Sequence, residues 1–281
     1  MKTFKSFLNS FSFLKKLVFI LLIHQILFTA IPLTSVGIAF EEFSFTKGLF
    51  SPFNGLENFK AVISTPGFSR VISNTFLLGM IRVLLLFGYA LSLSLILHRI
   101  FKRRLGKALL FISLIPQFIS WVSTAALMKL IFSNNGILYK LLGSVPGFYS
   151  EELPFKLLLF FSILWHDGGL LALIILLSLL SIDKTYYDAA RLETKSKRIL
   201  FQYITWPFIR EHLIIVLALL FFGFFHGLFE PIFNMANPSL WETTDTIDTL
   251  LYRTAFSDGD MGKAYALEFT KNVFNAIIVF V

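Results

Sequence analysis

The chain has no cysteine, which excludes disulfides and thiolate metal sites. Charge is scarce: Asp, Glu, Lys and Arg make up 15% of the residues, against about 25% in soluble proteins. The five histidines, His24, His98, His166, His212 and His226, are scattered. No two have the i, i+4 spacing of a helical metal site, so no metal centre is expected. No G-x-x-x-x-G-K-[ST] loop occurs, so nucleotide is not bound in that way. The net charge is +8, but basic and aromatic residues do not interleave on a polar surface, and no nucleic-acid partner is expected. There is no internal repeat and no low-complexity tract.

What the chain has in abundance is apolar surface. Hydrophobic residues make up 56%, with 35 phenylalanines, where soluble domains hold roughly 45–50%. They come in blocks long enough to cross a bilayer as helix, which takes about 20 residues. The blocks predict six spans, at 17–40, 70–97, 107–132, 154–182, 207–229 and 262–281. Pro66-Gly67 precedes the second and Pro154 opens the fourth, both natural helix starts. Gly168-Gly169 is expected to break or kink the fourth. Lys2, Lys5, Lys15 and Lys16 ahead of the first run mimic a secretory signal. The run is longer than the usual ~7–15 residues and no A-x-A-like site follows, so it reads as a retained span. The last run, ending NVFNAIIVFV, stops while still apolar, so the final helix reads as truncated.

Loop charge alternates. The N-terminus has four lysines, and HRIFKRRLGK at 98–107 carries five Lys or Arg and no acid. Residues 183–206 carry five Lys or Arg and three acids. The loops 41–69, 133–153 and 230–261 are richer in acid. The positive-inside rule then puts both termini in the cytoplasm and requires an even number of spans. The expected architecture is an all-α membrane protein, a single domain over 1–281, with its outer loops 41–69 and 230–261 ordered at the surface.

The most informative segment is the polar island DKTYYDAARLETKSKRILFQYITWP, 183–207, held between two apolar runs. Asp188 near a helix start suits the positive end of the helix dipole. Ala189 and Ala190 are small enough for a partner to approach closely. Leu192, Ile199 and Phe201 offer apolar contacts, and Pro207 is expected to fix the start of the fifth span. Such a stiff, tethered piece suits a helix-in-groove contact.

Asp188-Ala189-Ala190, then Thr194, then Ile204 and Pro207 reproduce the spacing of the E-A-A, three residues, Gly, nine residues, Ile-x-Leu-Pro motif of binding-protein-dependent ABC importers. Asp188, Thr194 and Trp206 depart from its Glu, Gly and Leu. GLENFKAVIS, the Ser73-Asn74-Thr75 that follows, and ISLIPQFISWVSTAALMKLIFSNNGILYKLL also resemble sugar-importer permeases. FEPIFNMANPSLWETTDTIDTLLYRTAF is most similar to the branch handling oligosaccharides and polysaccharide fragments. The resemblance covers nearly all of 50–275. It implies a transmembrane subunit of a type I ABC importer in a bacterial cytoplasmic membrane, not itself an enzyme. The implied partners are a second permease subunit, two ATPase subunits that use ATP and Mg²⁺, an extracytoplasmic solute-binding protein and an oligosaccharide. Asp188, Ala189, Ala190, Leu192, Thr194, Ile204 and Pro207 would form the coupling segment. Thr resists the left-handed turn that Gly permits, so a gentler or shifted break is expected at Thr194.

Candidates for the substrate path are Asn74, Arg82, Gln117, Trp165, His166 and His226. Arg82 is costly in a membrane unless it faces a cavity or a bundle interior. It either lines the path or pairs at an interface. Asn74 and Gln117 serve sugar hydroxyls or bond between helices. Trp165 stacks on sugar or packs in the core. His226, Glu230 and Asn234 form a polar cluster at the end of the fifth span. Three alternatives stand beside the sugar importer. A permease of the same type for another solute shares the same motif. A secondary transporter lacks support for want of inverted repeats and intramembrane acids. An intramembrane enzyme built on His166-Asp167 lacks a nucleophile motif.

Overall fold

The computed structural model describes residues 2–30 and 34–280. Among the described residues the regular secondary structure is helical, with one isolated bridge between Glu41 and Phe53. Contacts divide it into two units: residues up to Thr65 with Leu251–Thr270, and Pro66–Leu250 with the residues from Lys271 onward.

In the first unit, α1 (Lys2–Gln25) runs into a π-turn over Ile26–Ala30. A 3-10 turn at Ser35–Phe40 and the short helix α2 (Glu57–Ile63) follow. Asn58 ties these together, its Nδ2 donating to the carbonyls of Ala39 at 3.0 Å and Glu41 at 2.9 Å. Phe40 and Phe59 pack edge-on against Phe269 at 5.8 Å each. The segment 41–69 is thus ordered, as its composition predicts. The first expected span, 17–40, is not one helix: it is divided among α1, the π-turn and the 3-10 turn, and 31–33 lie outside the described residues.

The second unit holds the long helices. Gly67 takes a left-handed φ of 78°, which glycine alone adopts cheaply, and α3 (Phe68–Ile100) starts at once. Its buried positions, Val71, Thr75, Leu78, Arg82, Leu86, Ala90, Ser94 and Leu97, step by three or four and make one stripe. α4 (Arg104–Leu114), a 3-10 turn at Ile115–Phe118, α5 (Trp121–Phe132) and α6 (Ile137–Leu142) come next. Then α7 (Glu152–Leu180) packs its own stripe against α3. Lipid is as apolar as leucine, so close packing and internal hydrogen bonds, rather than escape from water, hold such helices together. Glycine is what permits that closeness. A Cβ at Gly168 would lie 2.4 Å from the Tyr89 ring, and one at Gly169 would lie 1.9 Å from the Ser113 carbonyl oxygen. The glycine pair therefore does not break the helix: α7 runs unbroken through it, and the glycines make room for neighbours.

The remaining elements are α8 (Lys184–Glu193), α9 (Lys197–Leu200), a π-turn over Phe201–Thr205, α10 (Trp206–Phe222), α11 (Phe229–Met235), α12 (Trp241–Thr244), α13 (Ile247–Phe256) and α14 (Met261–Phe280). The segment 230–261 is accordingly ordered too.

Among the described residues, three helices are long and apolar enough to cross a membrane: Phe68–Ile100, Glu152–Leu180 and Lys197–Phe222. A fourth crossing follows if the bent pair Arg104–Phe118 and Trp121–Leu142 counts as one. The expected straight span at 107–132 is in fact this pair, turned by 106°. Pro116 cannot donate to the helix ladder, and Ser120 restarts the helix by accepting from the Ser123 N–H at 3.3 Å. The last run, in α14, carries Lys263, Glu268 and Lys271, charges a span tolerates only where they face protein or water. Lys271 is buried and pairs with Asp248 at 2.7 Å. The start of the fifth span also moves. Its helix begins at Lys197, and Pro207 sits inside it. The π-turn just before the proline widens the helix where the ring would press on the carbonyl four residues back.

Candidate functional site

Two regions of the second unit carry the chemistry the sequence points to. One is a polar pocket of about 420 Å³ beside the helix break at Ile119–Ser120. Gln117, Ser120, Trp121, His166, Asp167, Glu230 and Asn234 are among its lining residues. His166 is buried, with its ring stacked on Trp121 at 4.2 Å. Its Nε2 lies 2.8 Å from the Ile119 carbonyl oxygen. A carbonyl only accepts, so Nε2 carries a hydrogen and donates. Its Nδ1 lies 2.6 Å from Asp167 Oδ1, which places a proton between these two atoms as well. The break in the α4–α5 segment frees the Ile119 carbonyl, and the histidine satisfies it.

Asp167 is the hinge of the network. On its other side, Arg82 Nη2 stands 4.0 Å from Oδ2. Arg82 Nη1 donates to the Gly223 carbonyl at 3.3 Å. That carbonyl lies just past the end of α10 and also accepts the Gly227 N–H at 2.9 Å, so the guanidinium shares it. Gly227 leaves space for the guanidinium, since a Cβ there would lie 2.2 Å from Arg82 Cζ. A buried arginine is thus retained by a carboxylate and a broken helix end.

The other sequence-predicted candidates are elsewhere. Trp165 is half-buried and does not line the pocket; it is one residue, hence about 100° of helix, from His166. Asn74 Nδ2 donates to the carbonyls of Glu242 and Asp245, both at 3.2 Å. His226 separates from Glu230 and Asn234: its Nδ1 lies 3.6 Å from Asp248 Oδ2, next to the Lys271–Asp248 pair. Trp121 was not singled out from the sequence. Its signal is the Ser120-x-x-Ser123 cap after Pro116, which marks a restart inside an apolar run.

The second region is the segment 183–207. Asp183 caps α8, its Oδ1 accepting from the Thr185 N–H at 2.9 Å. That hydrogen bond holds the Asp183 carboxyl below its ordinary value. Asp188 pairs within the helix with Arg191 at 3.3 Å and Lys184 at 3.6 Å. No residue of α8 or α9 is buried, and Leu192 is 90% exposed. The segment is nevertheless anchored. The Tyr187 and Thr205 hydroxyls are 2.8 Å apart, and the Tyr186 ring lies 5.1 Å from that of Phe208. Ile204 is buried at the base. Thr194 does not take the left-handed turn of the motif glycine. Its backbone is extended at φ −147°, ψ 139°, a conformation β-branched residues favour, and its Oγ1 accepts from the Ser196 N–H at 3.1 Å.

The chain is similar to transport-system permease subunits, the class the sequence resembles. Protein LplB of Bacillus subtilis is 26% identical over 92% of this chain and 83% of its own length. The polygalacturonan/rhamnogalacturonan transport system permease YteP of the same organism is 24% identical over 92% of this chain and 82% of its own length. The arabinooligosaccharides transport system permease AraP, also from B. subtilis, is 26% identical over 76% and 70%. A bacterial ABC transporter involved in import of the acidic polysaccharide alginate shares the fold, with TM-score 0.88 and 22% identity over 100% of this chain and 96% of that one. The same transporter type with an alginate pentasaccharide-bound periplasmic protein gives 0.87 over 98% and 94%. No family model matches. The resemblance read from the sequence, to sugar and polysaccharide ABC transporter permeases, therefore holds over most of the chain.

Proposed function

We propose that this chain is a transmembrane subunit of an ATP-driven importer for oligosaccharides or polysaccharide fragments. It forms half of the translocation path as one permease domain over 1–281, with six crossings and both termini in the cytoplasm. Its partners are a second permease subunit in a heterodimer, two ATPase subunits that bind ATP and Mg²⁺, and an extracytoplasmic solute-binding protein. Alternating loop charge supports the orientation.

The observation that carries the reading is the segment 183–207. It is exposed, it has the spacing of the coupling motif, and beyond the extended residues 194–196 its second part runs directly into the helix Lys197–Phe222. A groove on an ATPase subunit that grips α8 reaches the fifth span through the Tyr187–Thr205 hydroxyl pair and the Tyr186–Phe208 ring contact. When the ATPase pair closes on ATP, the segment moves and the spans on either side of it tilt, turning the cavity from the cytoplasm to the outside. This requires the ATPases to favour one state over the other, not merely to hold tightly. The polar pocket beside the helix break supplies hydroxyl-binding groups, and Trp121 supplies an aromatic face.

The test is Ala190→Glu in the reconstituted complex with its binding protein and a panel of oligosaccharides. The expected result is a folded, inserted chain whose sugar-stimulated ATP hydrolysis is lost. Retained stimulation would overturn the assignment. Purification of the wild-type chain should also bring down an ATPase and a second permease.

A further inference from the structure

A cleft of about 620 Å³ lies where the C-terminal ends of α3 and α7 meet α8 and α9. Arg99, Lys102, Lys184, Arg191 and Lys197 line it, and no carboxylate does. Asp188, just outside, lies 3.6 Å from Lys184 and 3.3 Å from Arg191. Among the described residues, Arg99, Lys102 and Lys197 have no acidic partner. All five side chains are exposed; like charges grouped around one cleft repel one another, and an anion bound among them is favoured. The remaining wall is apolar, with Leu95, Leu179 and Leu200. The volume is that of a site for a ligand, since such sites measure roughly 300–1,000 Å³.

We propose that this cleft binds the headgroup of an anionic phospholipid. The phosphate lies against Arg99, Lys102 and Lys197, and guanidinium forks match phosphate oxygens in pairs. The first acyl methylenes run along Leu95, Leu179 and Leu200. A free phosphate ion has the same charge but nothing to place on that apolar wall. Basic pockets between spans on the cytoplasmic side suit anionic headgroups. The leaflet assignment rests on the reading that 183–207 faces the cytoplasm. Because the cleft is shared by two span ends and both helices of the coupling segment, a bound headgroup ties that segment to the spans.

The test uses the full chain in mild detergent, titrated with dioleoylphosphatidylglycerol and followed by native mass spectrometry. Dioleoylphosphatidylcholine and inorganic phosphate are the comparison probes. One phosphatidylglycerol should be retained in preference to phosphatidylcholine and should resist millimolar phosphate. The pair Arg99→Gln, Lys102→Gln should weaken retention on the order of tenfold or more, whereas Arg99→Lys, Lys102→Arg should preserve it. Melting and elution of each variant without lipid report its folding. Equal retention by the Gln pair, or of phosphatidylcholine, would overturn the proposal. Displacement by phosphate would reassign the cleft to a free anion. This readout needs no ATPase, so failure of an ATPase to co-purify bears on the transport reading alone.

Discussion

Replacing Leu192 by alanine should leave the chain as stable as before and loosen its hold on an ATPase subunit. Leu192 is 90% exposed in a helix with no buried residue. It contributes almost nothing to its own fold, so the whole of its transfer free energy is available to a partner. Burying a leucine side chain is worth about 1.5–3 kcal/mol, and alanine forfeits most of that. A loss of roughly 2 kcal/mol weakens affinity about 30-fold, at 1.4 kcal/mol per factor of ten. The assay titrates the purified ATPase subunit against the detergent-solubilised chain, wild type or Leu192→Ala, with thermal melting measured in parallel. Unchanged affinity would refute the idea that the exposed apolar side of α8 sits in a partner. A loss of stability on melting as large as the loss of binding free energy would refute it too, since Leu192 would then be packing within the chain.

Three further outcomes are expected. Arg82→Met removes the cation between Asp167 and the Gly223 carbonyl and should destabilise the chain by about 2–4 kcal/mol; Asp167→Asn in the same background should restore part of it, read by thermal melting in detergent. Gly169→Ala drives a methyl group to 1.9 Å from the Ser113 carbonyl and should lower the melting point sharply, whereas Gly88→Ala, with nothing within 4 Å of its Cβ, should be nearly neutral. The Asp183 carboxyl is held below its usual value, so the ionised form is the one that caps α8. Its contribution is in place above the ordinary carboxylate range and is lost as pH falls through the lowered value. A pH titration of the Thr185 amide resonance should show the first turn of α8 fraying in that acid range, and Asp183→Asn should abolish the transition.

The helices that hydropathy reads well are those where length and apolar run coincide. Phe68–Ile100 and Glu152–Leu180 fall within a few residues of the expected 70–97 and 154–182. The misreadings share one cause: they depend on where particular backbone groups find partners. The run 107–132 is long and mostly apolar, and the missing N–H of Pro116 and the cap of Ser120 are what reveal the 106° bend. Gly168-Gly169 reads as a break until Tyr89 and Ser113 are seen to occupy the space where side chains would go. Thr194 keeps the motif's spacing but replaces a left-handed turn with an extended one, which the residue type itself foretells. The stack of Trp121 on His166 joins residues 45 positions apart, beyond the reach of any local pattern. His226 and Glu230 are neighbours in sequence, yet a helix break sends one to Asp248 and the other to the pocket.

The wide turn at Phe201–Thr205 sets an angle as well as sparing a proline. Each residue of an α-helix advances the chain by about 100° around its axis. An extra residue held in one turn therefore rotates everything before it by about that amount relative to everything after. The compass bearing of Lys197–Leu200 is fixed by this insertion and not by the apolar stripe of the membrane helix behind it. Shortening the turn by one residue would swing the Lys197–Leu200 end roughly a quarter-circle while leaving the buried face of the span in place, so the two surfaces can be retuned independently.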